Sequence, residues 1–208
     1  MRHHKIWVKS KSPFRSRTTD SQHLYGVASN RLASVGLLTR VNQTWVADIT
    51  YVKTVGSWVY LAAVMDLYSR KIVGWSLGYT LQTSLVKEAL EQALAMRRPA
   101  AGLLHHSDRG CQYASSAFKA LLHSHQILPS MSTRGNCYEN ANIESFWSTL
   151  KSELIHRHSF HNLPQARSAI FEYIEIFYNR QRLHSALGYK TPVEYEQTST
   201  YNQKPENR

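Results

Sequence analysis

The spacing of apolar positions along this chain changes several times, and each change predicts an element. From Thr44 to Tyr79 the chain reads as three stretches, TWVADITYV, SWVYLAAVMDLY and RKIVGWSLGYT, rich in Val, Ile, Tyr and Trp. They are separated by Gly56 and by the Asp66-Leu-Tyr-Ser-Arg70 connection, so the pattern predicts three strands in an antiparallel meander. Beyond them the spacing becomes helical: Leu85, Ala89 and Ala93 form one stripe, with Val86, Leu90 and Leu94 beside it. This predicts a helix capped by Thr83 or Ser84, running to about Arg98 and stopped by Pro99. A strand at Gly102 to His106, a helix near Ser115 to His125 and a short strand at Ile127 to Pro129 follow.

The next run, SMSTRGNCYENAN, is rich in Ser, Gly and Asn and predicts a mobile loop, with Asn140 or Asn142 available to cap the helix after it. On that helix Ile143, Phe146, Trp147, Leu150 and Leu154 recur at helical spacing. Leu163-Pro164 opens a last helix, whose inner stripe is Ala166, Ile170, Ile174 and Phe177. Tyr178, Asn179, Arg180, Arg182 and His184 then form a basic, partly aromatic patch able to meet phosphates and stack on bases.

Three carboxylates stand out against this framework. Asp48 interrupts a strand that otherwise reads as buried, where an unpaired charge is expensive. Asp108 follows Leu103-Leu104, where a strand runs out into an Asp-Arg-Gly loop and open α/β sheets place their chemistry. Glu144 lies on the packed helix, with 35 residues between it and Asp108. The predicted order sets Asp48 and Asp108 on neighbouring strands and lets Glu144 close the site. Three such groups repel one another and gain most by sharing hard cations, Mg²⁺ or Mn²⁺. Asp66 is a fourth acid, but it sits beside a turn, where Asp commonly accepts backbone N–H groups. Glu139 precedes the helix and is a second choice as ligand.

The motifs WVADITYV, HHSDRGCQY, GNCYENANIESFWSTLKSE and YNRQRLHSALGYKTPVEY occur in that order over roughly residues 40 to 195. Together they resemble the D,D(35)E core of insertion-sequence transposases, specifically the second-reading-frame product of the IS-three family within the retroviral integrase superfamily. Cys111 stands where that family usually has Ser, Glu139 where it has Asp, and the chain is short at its N-terminus. The resemblance implies an α/β, ribonuclease-H-like fold: a mixed five-stranded sheet flanked by helices. It implies metal-dependent DNA cleavage and strand transfer in transposition, with two Mg²⁺ ions for which Mn²⁺ can substitute. Asp48 would bridge both ions, while Asp108 and Glu144 would each bind one. Lys151, two helical turns beyond Glu144, would hold a DNA phosphate or stand in solvent. Arg109, Arg134, Arg180 and Arg182 are the further candidate DNA contacts. The implied partners are double-stranded DNA, further copies of the chain and the first-reading-frame product.

Charge agrees with a polyanionic partner: 25 Lys and Arg face 14 acids, a formal net charge of +11. Eight of those cations (Arg2, Lys5, Lys9, Lys11, Arg15, Arg17, Arg31 and Arg40) fall in the first 40 residues with only Asp20 against them. That stretch predicts an extended arm laid on the core or on DNA, or a solvated leader. The expected organisation is therefore a basic arm at 1–40, a catalytic core at 41–160, a helical extension of the core at 161–196 and a disordered tail at 197–208. Cys111 and Cys137 stand far apart without a CxxC, which suggests neither a disulfide framework nor a zinc ribbon and suits a reducing cytoplasm. No apolar run is long enough to span a bilayer, and the basic start lacks the apolar region of a secretory signal, so the expected location is cytoplasmic and nucleoid-associated when DNA is bound. A runner-up reading is a catalytically silent DNA-binding remnant competing for ends; a third is a metal-dependent ribonuclease on the same fold.

Overall fold

The computed structural model describes residues 25–133 and 140–202. Five strands, β1 (Thr44–Lys53), β2 (Trp58–Asp66), β3 (Ile72–Gly78), β4 (Leu104–Ser107) and β5 (Leu128–Met131), form one sheet in the order β3-β2-β1-β4-β5. The β1–β2 and β2–β3 pairs are antiparallel, as the meander predicts, and β1–β4 and β4–β5 are parallel. The helices are α1 (Thr83–Arg97), α2 (Cys111–Ala114), α3 (Ser116–Ser124), α4 (Ala141–Glu153), α5 (Leu163–Phe171) and α6 (Pro192–Asn202). The sheet carries a hydrophobic core on each face. Val46 and Val52 of β1 join Ile143, Phe146, Leu150 and Ile170 on one side. Trp45, Ala47 and Ile49 join Leu90, Phe118 and Leu122 on the other. Burial on both faces explains why the strands read as near-continuous apolar runs. At Gly74 a Cβ would lie 2.2 Å from the Ala89 carbonyl oxygen, so α1 rides directly on the β3 backbone.

Several sequence expectations need correction. Neither Thr83 nor Ser84 caps α1: Gln82 holds the N-cap position with extended backbone, and no side chain makes a cap bond. The helix ends through Arg98 in left-handed conformation, its N–H on the Leu94 carbonyl, just before Pro99. Asn140 occupies the N-cap position of α4, but its side chain makes no cap bond and its Oδ1 is buried without a partner. The one-turn helix α2 has no apolar period and was not anticipated. The last long helix is not uniform: after α5 the segment Glu172–Tyr178 is π-helical. Ala166, Ile170 and Ile174 are buried as the stripe predicts, but the wider turn puts Tyr178 in the core, 2% exposed, in place of Phe177, which is 39% exposed. The tail boundary at Gln197 falls inside α6. A capping box starts that helix: Thr191 Oγ1 accepts from Glu194 N at 3.2 Å, and Glu194 Oε2 accepts from Thr191 N at 2.9 Å. Pro192 occupies its first turn. Residues 25–40 of the predicted arm lie partly on the core, with Ala28 packed there and Arg31 N donating to Ser130 Oγ at 2.9 Å. No described helix is long and apolar enough to cross a membrane.

Candidate active site

The parallel pairing of β1 and β4 sets Ala47 opposite Ser107, so Asp48, midway along β1, stands beside Asp108, which directly follows the end of β4. Asp108 Oδ1 accepts from Gly110 N at 2.9 Å, which folds the loop back on itself. A Cβ at Gly110 would come within 3.0 Å of that oxygen and of Gln112 Oε1, a reason for glycine at this position. Asp48 Oδ2 accepts from Trp147 Nε1 of α4 at 2.9 Å. Glu144 lies three residues before Trp147 on the first turn of the same helix, so the bond that holds Asp48 also brings Glu144 over the site.

The electrostatics record this meeting. Burial drives the Asp48 carboxyl up from 3.8 to about 7, and the Asp108 charge adds to the effect. The Ile49 N–H and Trp147 oppose it, and Glu144 raises it further. The Tyr113 hydroxyl beneath them is pushed well above its ordinary value by burial and by the charges of Asp48 and Asp108. Among the described residues no three acidic, histidine or cysteine side chains close into a ready-made metal-holding group. Glu144 is exposed and acts on Asp48 through its charge. The donor set still fits hard divalent cations: three carboxylates, one of them carrying a charge that its surroundings penalise.

Asp66 does structural work instead. Wholly buried, it accepts from the backbone N–H groups of Asn42 (2.7 Å), Tyr68 (3.0 Å) and Ser69 (3.2 Å) and lies 3.6 Å from the Arg97 guanidinium. The Lys151 Nζ lies 4.6 Å from the centre of the Tyr51 ring, and the residue is half-buried. Arg109 Nε donates to the Ser132 carbonyl at 2.7 Å, and Arg180 Nε to the Glu175 carbonyl at 3.0 Å. Arg182 pairs with Glu153 at 3.1 Å, and Tyr173 donates its hydroxyl to the same carboxylate at 2.7 Å. Arg134, Cys137 and Glu139 lie outside the described residues. Sequence reasoning missed Trp147 as the partner of Asp48, because helical spacing marks it only as an apolar position. It likewise missed Asn179, assigned to the basic patch. That side chain is buried and clamps the edge of β3, accepting from Ile72 N and donating to Ile72 O, both at 3.0 Å.

The sheet order, with an acid at the end of β4 beside another on β1, defines a ribonuclease-H-like core of the retroviral integrase type. Solved structures share it: a simian T-cell lymphotropic virus intasome in complex with a PP2A regulatory subunit (TM-score 0.63, 19% identity, 92% of this chain and 63% of that one). The HTLV-2 integrase catalytic core domain in complex with magnesium also matches (TM-score 0.55, 19% identity, 76% of this chain and 97% of that one). The family model described as integrase core domain matches residues 39–137, and a second of the same description matches residues 125–192. An uncharacterized 31 kDa protein of insertion element IS600 from Shigella sonnei is 47% identical, over 93% of this chain and 71% of its own length. The transposase for IS904 from Lactococcus lactis is 42% identical (80% of this chain and 66% of its own length), and transposase InsF of IS3A from Escherichia coli is 41% identical (84% and 60%). The chain belongs to the integrase-core family of IS3-type insertion-sequence transposases, and it spans 60 to 71% of these relatives' lengths.

Proposed function

We propose that this chain is the catalytic portion of a DDE transposase that cuts DNA at the ends of an insertion sequence and joins those ends to a target strand. The observation that supports the reading is the placing of Asp48 and Asp108 on neighbouring strands, with Glu144 in the first turn of α4 near enough for its charge to act on Asp48. These three residues would hold the divalent cations, two Mg²⁺ with Mn²⁺ as substitute. When bound, such ions activate the attacking oxygen and neutralise the leaving one. A magnesium complex of a retroviral core with the same fold supports that choice.

The chain's own side chains supply the positioning. Trp147 fixes one oxygen of Asp48, and the Gly110 N–H fixes one of Asp108. Lys151, held against Tyr51 on the same helix as Glu144, offers a cation to a DNA phosphate. Arg109, Arg134, Arg180 and Arg182 are the further proposed contacts; Arg180 is the exposed one among the described residues, and Arg182 is already committed in part to Glu153. Water as nucleophile would leave a 3′-hydroxyl at the element end, and that hydroxyl would then attack target DNA, one phosphodiester replacing another. Element ends must be held together, so the working form is a multimer on DNA, with the first-reading-frame product as a possible partner. We assign residues 41–160 to the catalytic core and 161–196 to its helical extension.

The test is Mg²⁺- or Mn²⁺-dependent nicking and joining of labelled DNA carrying candidate element ends, with the intact chain, Asp108→Asn and Glu144→Gln. Activity in the intact chain that both substitutions abolish is the expected result. A chain that binds DNA yet neither cuts nor joins it, even with Mn²⁺ and a supplied recognition module, is instead a silent DNA-binding remnant.

A further inference from the structure

A cavity of about 320 Å³ lies beside α4, and its lining includes Ser145 and Thr149 of that helix, Arg70 of the β2–β3 turn, and Arg182, His184 and Tyr189. Neither Asp48, Asp108 nor Glu144 is among its lining residues, so the cavity is distinct from the proposed active site. No carboxylate is among its described lining residues.

Arg70 is the unusual member. Its backbone is left-handed, φ 62°, a conformation that glycine or asparagine adopts at less cost than arginine. The turn enforces that shape: Arg70 N donates to the Asp66 carbonyl at 2.8 Å, while the buried Asp66 side chain ties down Tyr68 and Ser69. Its guanidinium is partly buried and pushed below its ordinary value by that burial, yet it has no ion pair among the described residues. A strained arginine whose charge is desolvated and unpaired destabilises the free protein unless something arrives to pair with it.

The surrounding groups match the same missing anion. Arg182 uses Nε and Nη2 on Glu153, bonds in which its Nη1 takes no part. Arg70, Arg182 and Glu153 all act on His184, together with its bond to the Tyr178 backbone, so two cations face a single carboxylate. The walls are fixed in advance, because Asn179 clamps Ile72 two residues beyond Arg70.

We propose that this cavity is a phosphate clamp for a DNA strand, with Arg70 as its principal ligand and Arg182 completing it. It rests on the transposase reading above and adds a contact that uses none of the three acids. A strand held there would be anchored by a guanidinium fork to its backbone, a contact without base preference.

The experiment is fluorescence anisotropy of the full chain with a labelled duplex over a salt series, comparing wild type with Arg70→Asn and Arg98→Asn. Arg98 is a matched control: it too is a left-handed arginine, but exposed at the end of α1. Arg70→Asn is expected to weaken binding about tenfold and to lower the salt slope by about one, with no fall in melting temperature. Arg98→Asn is expected to leave both nearly unchanged. Arg70→Lys keeps the charge, so it should keep the slope while losing the fork, and it serves if Arg70→Asn does not fold. Equal effects at Arg70 and Arg98, or a folded Arg70 variant that binds duplex with the affinity and salt slope of wild type, overturn the clamp and leave the transposase reading standing. Competition by inorganic phosphate or a mononucleotide at concentrations far below those that screen charge assigns the cavity to a small phosphate and overturns the DNA assignment. An intact chain that binds no duplex overturns both readings.

Discussion

Asp48 ties the chemistry of the site to the stability of the fold. An ordinary aspartate loses its proton near 3.8, whereas burial and the neighbouring acids hold the Asp48 proton to about 7. Between those values the folded chain binds more protons than the unfolded one, so this group costs stability progressively as pH rises through the window, and the cost is level above it. Without divalent cation, unfolding free energies of wild type relative to Asp48→Asn should therefore shift against wild type by on the order of 4 kcal/mol between pH 4 and 7.5. His105 and His184, lowered by burial to about 3 and about 4, titrate in the opposite sense, and the comparison with Asp48→Asn cancels them. Mg²⁺ at pH 7.5 should return part of that loss to wild type and none to the variant. A difference that does not move with pH would show that Asp48 is not the titrating group. Trp147 gives the companion prediction. Trp147→Phe keeps the apolar packing and removes the donor to Asp48, which should lower nicking about tenfold while duplex affinity stays unchanged. Loss of affinity in step with nicking would assign Trp147 to folding instead.

At the scale of elements, strands and long helices were legible because burial writes itself into spacing. Asp48 and Asp108 could be placed on adjacent strands because the order of elements admits few sheet topologies. What stayed hidden depends on local geometry. The π-helical turn that exchanges Phe177 for Tyr178 leaves no mark in a 3.6-residue pattern, and α2 is too short to show a period. Asn179 looked like part of a nucleic-acid patch because polar residues beside arginines read as surface, yet its amide substitutes for a missing strand at the β3 edge. Asn179→Ala should therefore cost roughly 2 to 4 kcal/mol, since it strips two bonds from buried backbone groups, and urea unfolding measures it. A cost under 0.5 kcal/mol would return Asn179 to a surface role. Gly74→Ala tests the opposite face. A methyl there would meet the Ala89 carbonyl and Ala93, so α1 must shift off the sheet, at a cost of roughly 1 to 3 kcal/mol by the same measurement.

At the scale of the whole molecule, the C-terminal segment is bound into the core rather than appended to it. Ala166, Ile170, Tyr173, Ile174 and Tyr178 share one hydrophobic cluster with Val46, Ile72 and Trp75 of the sheet. Polar anchors follow the same path: Glu175 accepts from Trp75 Nε1 at 3.1 Å, Arg167 donates to the Leu77 carbonyl at 2.5 Å, and Glu196 of α6 pairs with Arg97, which also faces buried Asp66. Asp66 in turn fixes the turn that carries Arg70, so α6 supports one wall of the proposed clamp from a distance. A chain joined in this way should melt in one calorimetric transition, with the enthalpy measured directly equal to that from the transition's shape. Ending it at His161 would expose the apolar face of β2 and β3 and should give an aggregating product, even though the three acids are all retained. Glu196→Gln is the gentler form of the same test. It should lower the melting temperature by a few degrees and weaken duplex binding through Arg70, with the acids untouched. A soluble 1–161 fragment with a cooperative melt would mean that the core folds without its extension.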